Sequence, residues 1–382
     1  MVLRKEVKMN KTKSNSYGKL LVFFLVAIAL LCAFGFAADG WQLNTDSKPD
    51  SGSADNNNGE ADENTNGDTA GDNSEQSPNK PEMYIPEYIN YITGTETTEQ
   101  LSLTRPKAFI MSTAAPLYGI SSSELMIEFP MEDGSTRLLS FITDTSALGK
   151  IGSVTPTRAY ISNLAKAFGG ILVSNGKDDK RVYESLSILG SHFDFSLYPD
   201  YHYTEYTHYS YTNSDLINSG ILNANISSLV NSRPTLPYQF VEFGNDEVIG
   251  DKPALKVTLP FSELSDTELR YSSKDGCYSF MKGGALKKDM LNDKGVSFKN
   301  VFILFADSVT YEGEAGVEMI MDTMSGGKGY YLSDGTLMRI LWSVDEGQLT
   351  FTNENGETLV VNRGTSYIGF MKSSKINDIT FN

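Results

Sequence analysis

Residues 125–143 read LMIEFPMEDGSTRLLSFIT. Two apolar runs, 125–129 and 136–143, flank MEDGS, and Asp133-Gly134 is the dipeptide that a tight β-hairpin turn selects. Upstream, KAFIM (107–111) follows Pro106 and reads as a buried strand. Downstream, TRAYISNLAKAF (157–168) has apolar residues at helical spacing and stops at Gly169-Gly170. Residues 170–174 then read as another buried strand. Further helices are predicted over 179–189 and 214–230, the second opened by the capping candidates Thr212, Asn213 and Ser214. Alternation of this kind predicts a sheet covered by helices, a mixed α/β domain spanning 83–235.

Beyond Leu236 the period changes to two. Residues 254–261, 269–281, 301–310 and 318–324 alternate apolar and polar positions. Two hairpins are expected, 330–342 pivoting on Ser333-Asp334-Gly335 and 348–361 pivoting on Asn355-Gly356. The reading is a compact β-rich domain over 236–382, so the whole chain is α+β.

The N-terminal 82 residues follow another logic. Arg4, Lys5, Lys8, Lys11, Lys13 and Lys19 stand against Glu6 in residues 1–19, a basic segment expected to stay in the cytoplasm. Residues 20–38, LLVFFLVAIALLCAFGFAA, carry no charge. This is the pattern of a signal peptide or a membrane anchor. Gly35-Phe36-Ala37 supplies the small residues that cleavage after Ala37 requires, and Cys32 is a lipidation candidate preceded by the bulky Leu31. Residues 39–82 hold eleven acids against Lys48 and Lys80, nine units of the net charge of −16. They contain almost no large apolar residue, so they read as a solvated acidic linker. The expected localisation is the cell membrane with the folded part outside the cytoplasm, or secretion if the segment is cleaved.

The folded remainder is also acidic, which removes the electrostatic footprint of a nucleic-acid binder. With Cys32 in the apolar segment, Cys277 has no partner for an exported disulfide. It lacks a His–Asn signature and reads as structural. Gly326-Gly327-Lys328-Gly329 is flanked by strands, so it reads as a turn and not a phosphate loop.

The polar residues that suggest chemistry fall in two groups. Glu128, Glu132, Arg137 and Arg158 flank the hairpin and the following helix; they are either a binding cleft or a buried ion-pair network. All three histidines, His192, His202 and His208, lie in one stretch with Asp194, Asp200 and Glu205. Their spacing fits no zinc pattern, and no metal or cofactor is expected. The same stretch holds Tyr198, Tyr201, Tyr203, Tyr206, Tyr209 and Tyr211, with Tyr183 upstream. It is read either as a stacking surface or as a strand with one tyrosine face packed inward.

These elements together resemble the YerB-like family of exported bacterial lipoproteins, a two-domain family without an assigned activity. The resemblance rests on TRPKAFIM (104–111), Ile127-Glu128, Glu132, Gly134, Thr136, Arg137 and IGSVTPTR (151–158). It continues through Ser174-Asn175-Gly176, residues 207–212, Asp289, Asn300-Val301, GKGYYLSDG (327–335), Trp342 and Gly364. This chain departs from the family pattern at Ser112-Thr113-Ala114, at Thr155 and at Leu286-Lys287. Two function classes follow. One is a non-catalytic module binding cell-wall glycan or an envelope partner through Glu128, Glu132, Arg137, Arg158, His208, Tyr209 and Tyr211. The other is a cell-wall hydrolase or lyase using Glu128 or Glu132 with His208.

Overall fold

The computed structural model describes residues 84–176, 191–206, 209–313 and 316–382. The basic segment, the apolar run 20–38, the acidic linker, the helix expected over 179–189 and His208 lie outside them. No helix among the described residues is long and apolar enough to cross a membrane.

The structure is richer in sheet than the α+β expectation. Of the long helices read from sequence, Ala159–Ala167 and Ser214–Asn223 are present. The first ends where Gly169 takes φ +66°, the conformation for which glycine was read as a stop. The second starts as expected, with Asn213 Oδ1 accepting from the Leu216 amide at 2.9 Å. It closes seven residues early, because Asn225 takes φ +55° and the Ile226 amide donates back to the Ile221 carbonyl at 3.1 Å.

One sheet of 14 strands organises the described residues. Its middle runs, in spatial order, Gly326–Ser333, Asn300–Ala306, Ser366–Lys372, Leu125–Pro130, Thr136–Ile142 and Lys107–Ser112. The hairpin that opened the sequence reading has the register Leu125↔Phe141 to Pro130↔Thr136, with Gly134 at φ +81°. Ser366–Lys372 lies parallel to Asn300–Ala306 on one side and to Leu125–Pro130 on the other. The last long strand is therefore the seam joining the two sequence segments. A six-stranded sheet built around Lys256–Pro260, Asp266–Ser272 and Cys277–Lys282 packs on one face. Helix Ala159–Ala167 packs on the other. Each face carries a hydrophobic core, and each core draws residues from both segments.

Two expectations for the second segment change. GGKG forms the start of strand Gly326–Ser333, not a turn. A Cβ on Gly327 or Gly329 would sit 2.4 Å from the Phe305 carbonyl oxygen or 2.7 Å from that of Ile303, so close strand approach is the reason for these glycines. The hairpin at Asn355-Gly356 forms only near its turn. Val360–Val361 leaves Gln348–Asn353 and pairs in parallel with Gln239–Phe240.

Glu128 sits on the seam strand's neighbour, 0 % exposed. Its Oε1 accepts from Thr136 Oγ1 at 2.6 Å and Lys282 Nζ at 2.7 Å; its Oε2 accepts from Tyr367 OH at 2.7 Å and Thr267 Oγ1 at 2.8 Å. Lys282 uses its other two protons on Ser265 Oγ at 2.8 Å and Thr267 Oγ1 at 2.9 Å. Donors and acceptors match, which is the condition for holding an ion pair away from water. Asp289 makes a second tie. Its carboxylate accepts from the amides of Gly119 at 3.0 Å and Ser121 at 2.9 Å, and from Ser121 Oγ at 2.7 Å.

Lys282→Met leaves the Glu128 carboxylate buried without its counter-charge and should destabilise the protein by about 3–5 kcal/mol in urea denaturation. Glu128→Leu with Lys282→Met should lose less than the sum of the two single changes, and strict additivity would refute the coupling. A separate, half-buried carboxyl, Glu124, is pushed up to about 7 by desolvation, against hydrogen bonds from Thr143 and Asn90. Folded protein then keeps a proton that the unfolded chain has lost, so this contribution is complete below about pH 4.5 and declines as pH rises through about 7. Glu124→Gln should flatten that slope between pH 5 and 8, and an unchanged slope would exclude Glu124 as its source.

Candidate functional site

The hairpin does not bring its two glutamates into one cleft. Directly opposed residues share a face, and Glu128 opposes Leu138 while Phe129 opposes Arg137. Glu128 therefore points into the core beneath the six-stranded sheet, and Arg137 belongs to the opposite face. The chain turns after Pro130, so Glu132 escapes the strand's period and meets Arg158, Oε1 to Nη2 at 2.5 Å. Arg158 is the N-cap residue of helix Ala159–Ala167 and only 5 % exposed.

Arg137 reaches the same loop, its Nη1 donating to the Pro156 carbonyl at 2.8 Å. The loop is wedged where the sheet forks. Lys107–Ser112 pairs with Ile171–Ser174 along its first half and with Val154 at Met111. The Thr155 amide donates to Ile110, and Asn175 and Gly176 bracket the loop through Asn175 N to Thr155 O at 3.0 Å and Thr157 N to Gly176 O at 3.2 Å. Asn175 Nδ2 donates to Ser210 Oγ at 2.6 Å. Glu132, Arg137, Arg158, Asn175 and Ser210 thus converge on residues 154–158. Lys107–Ser112, Ile171–Ser174 and His192–Asp194 run parallel, and the cluster lies at their carboxyl ends. Crevices at such strand ends are where open sheets hold ligands.

The tyrosine-rich stretch packs mostly inward. Tyr198 stacks on Phe193 with centroids 4.8 Å apart, and Tyr201 meets the same ring edge-on. Tyr211, a predicted ligand contact, is 0 % exposed and lies edge-on to Tyr118, with Lys150 Nζ 4.2 Å from its centroid. Tyr209 is half-buried on the same strand, and Tyr206 is 64 % exposed. His208, between them, falls outside the described residues. His192 Nε2 lies 2.7 Å from Ser174 Oγ, and His202 stacks on Phe195, where burial lowers its pKa. Asp194 accepts from the Gly176 and Ser196 amides. No group of three metal-ligating side chains occurs among the described residues.

Sequence reading missed Lys282, Thr267 and Tyr367, the partners that consume Glu128. Their signal was faint: a polar residue on the inward face of an alternating strand, such as Thr267, marks a buried acceptor elsewhere.

Residues 92–227 match the N-terminal domain, and residues 257–368 the C-terminal domain, of a protein of unknown function (DUF3048). Among solved structures, the crystal structure of the YerB protein from Bacillus subtilis is similar. It has a TM-score of 0.64 and 21 % identity, covering 76 % of this chain and 98 % of that one. At that identity the likeness concerns the fold. No curated protein matches.

Tyr211→Ala should cost about 3–5 kcal/mol, as for other large buried aromatic side chains. Tyr206→Ala should stay within about 0.5 kcal/mol of the parent. Equal effects in chemical denaturation would contradict the inward packing.

Proposed function

The chain belongs to the YerB-like, two-domain DUF3048 family of unknown function, and from that premise we propose that it is a membrane-tethered, extracytoplasmic binding module. Its ligand is an anionic group on a cell-wall glycan or on an envelope partner, taken at Arg137 and Arg158. The observation that carries this reading is the gathering of two guanidinium groups and Glu132 on one loop at the ends of parallel strands. Arginine offers a planar fork of donors suited to carboxylate or phosphate, and partial burial strengthens each contact. The basic segment, apolar run and acidic linker supply tether and spacer.

The hydrolase or lyase reading loses one of its two acids. Glycoside cleavage needs a pair of carboxyl groups facing the scissile bond. Glu128 is closed off from solvent with all its acceptor positions occupied, so a polymer cannot reach it.

The test is retention of the full chain, in neutral detergent, on purified cell-wall sacculi. Arg137→Ala and Arg158→Lys should each lower retention about tenfold, roughly 1.4 kcal/mol. Raising the salt should weaken the parent as well. Unchanged retention in both variants, with unchanged melting temperatures, would overturn the assignment of a cell-wall anion to Arg137 and Arg158.

A further inference from the structure

Beside Arg158 a cavity of about 300 Å³ opens between helix Ala159–Ala167 and the hairpin formed by Ser308–Gly313 and Gly316–Met321. We propose that this cavity binds an anionic amphiphile: an apolar chain whose carboxylate or phosphate head meets Arg158. The volume lies at the lower end of the range for small-molecule sites, which are apolar with a few placed polar groups. The walls have that character. Met319 and Met321 are buried on the hairpin, Met324 is 45 % exposed with its sulfur accepting from Asn163 Nδ2 at 3.4 Å, and Tyr160 and Tyr311 contribute aromatic rings.

Two methionines on the hairpin and a third on the loop after it supply flexible, polarisable surface that adapts to an alkyl chain. The two hairpin strands pair with each other and not with the large sheet, so this wall can shift without opening that sheet's ladder. The two charged ends differ. Asp322 turns its carboxylate onto its own loop, accepting from Ser325 Oγ at 2.5 Å and from the Met324 and Ser325 amides at 3.0 Å. At the other end the guanidinium of Arg158, ion-paired with Glu132 at 2.5 Å, lies beside the amino end of the helix. An anionic head here competes with Glu132 for the Arg158 guanidinium, with its chain over Met319, Met321 and Met324. The polar end rests on the anion-binding reading above; the apolar end is independent of it.

The probe is octyl phosphate, with inorganic phosphate and 1-octanol as head-only and chain-only controls. The full chain is held in nanodiscs of zwitterionic lipid, and its methionine methyl groups are followed by NMR. Octyl phosphate should shift the Met319, Met321 and Met324 signals saturably, with each control at least tenfold weaker. Met324→Trp, at a position 45 % exposed, should weaken binding at least tenfold while leaving retention on sacculi unchanged. Arg158→Lys should weaken octyl phosphate but not octanol.

Octanol binding as tightly as octyl phosphate, silent methyl signals, or full binding by Met324→Trp would each overturn the cavity proposal. If octyl phosphate fails while retention still depends on Arg137 and Arg158, the cavity proposal falls and the anion-binding module stands. Competition by vesicles containing anionic phospholipid would identify a bilayer source, and competition only by free alkyl acids a soluble one; either outcome supports the site.

Discussion

The buried pair of Glu128 and Lys282 constrains everything around it. A carboxylate and an ammonium taken from water cost more than their mutual attraction returns unless every remaining donor and acceptor is satisfied. Satisfying them here draws Thr136 from the first hairpin, Ser265 and Thr267 from the six-stranded sheet, and Tyr367 from the final strand. The ion pair therefore fixes the register of elements more than 200 residues apart, since Tyr367 and Glu128 differ by 239 positions. Hydrophobic contact alone tolerates sliding; a saturated polar network does not.

The seam strand makes the same demand in backbone form. Ser366–Lys372 has a neighbour from each segment, and all its apolar side chains are buried: Ile368 and Phe370 on one face, Tyr367 and Met371 on the other. Neither segment can complete its core without that strand. Two regions that match separate family domains are thereby folded into one sheet, with Asp289 adding a polar tie to the Gly119–Ser121 turn. Parallel pairing over such separations carries a large loop-closure cost, which the shared core must offset.

Much of this was legible, because local rules govern it. The hairpin at Asp133-Gly134, the glycine stop of the first helix and the Asn213 cap all depend on residues within four positions of each other. The illegible part is long-range. Period two places Glu128 on a face, but nothing local says that Lys282 waits there. The two glutamates, four residues apart, were read as one set on either arm of the hairpin, which could face one cleft. Pro130 ends the strand, and a turn rotates Glu132 away. Tyrosine spacing showed an inward-facing strand and a stacking surface equally well: Tyr203 and Tyr211 pack together on paired strands, whereas the chain leaves the strand at Tyr206, which takes φ +51° and is 64 % exposed.

The division of the polar residues bears on function more than their number does. Glu128, Asp289 and Asn300 hold the framework: each is fully buried, and each makes hydrogen bonds that join elements far apart in sequence. Glu132, Arg137 and Arg158 differ in place and in kind. From a hairpin turn, a strand and a helix N-cap they converge on the loop 154–158 at a fork in the sheet, Arg137 only partly buried, and their charges sum to +1 in a domain that is otherwise acidic. This small net positive charge at strand ends, beside an apolar cavity, is the feature on which the proposed binding of an anionic ligand by an acidic fold rests.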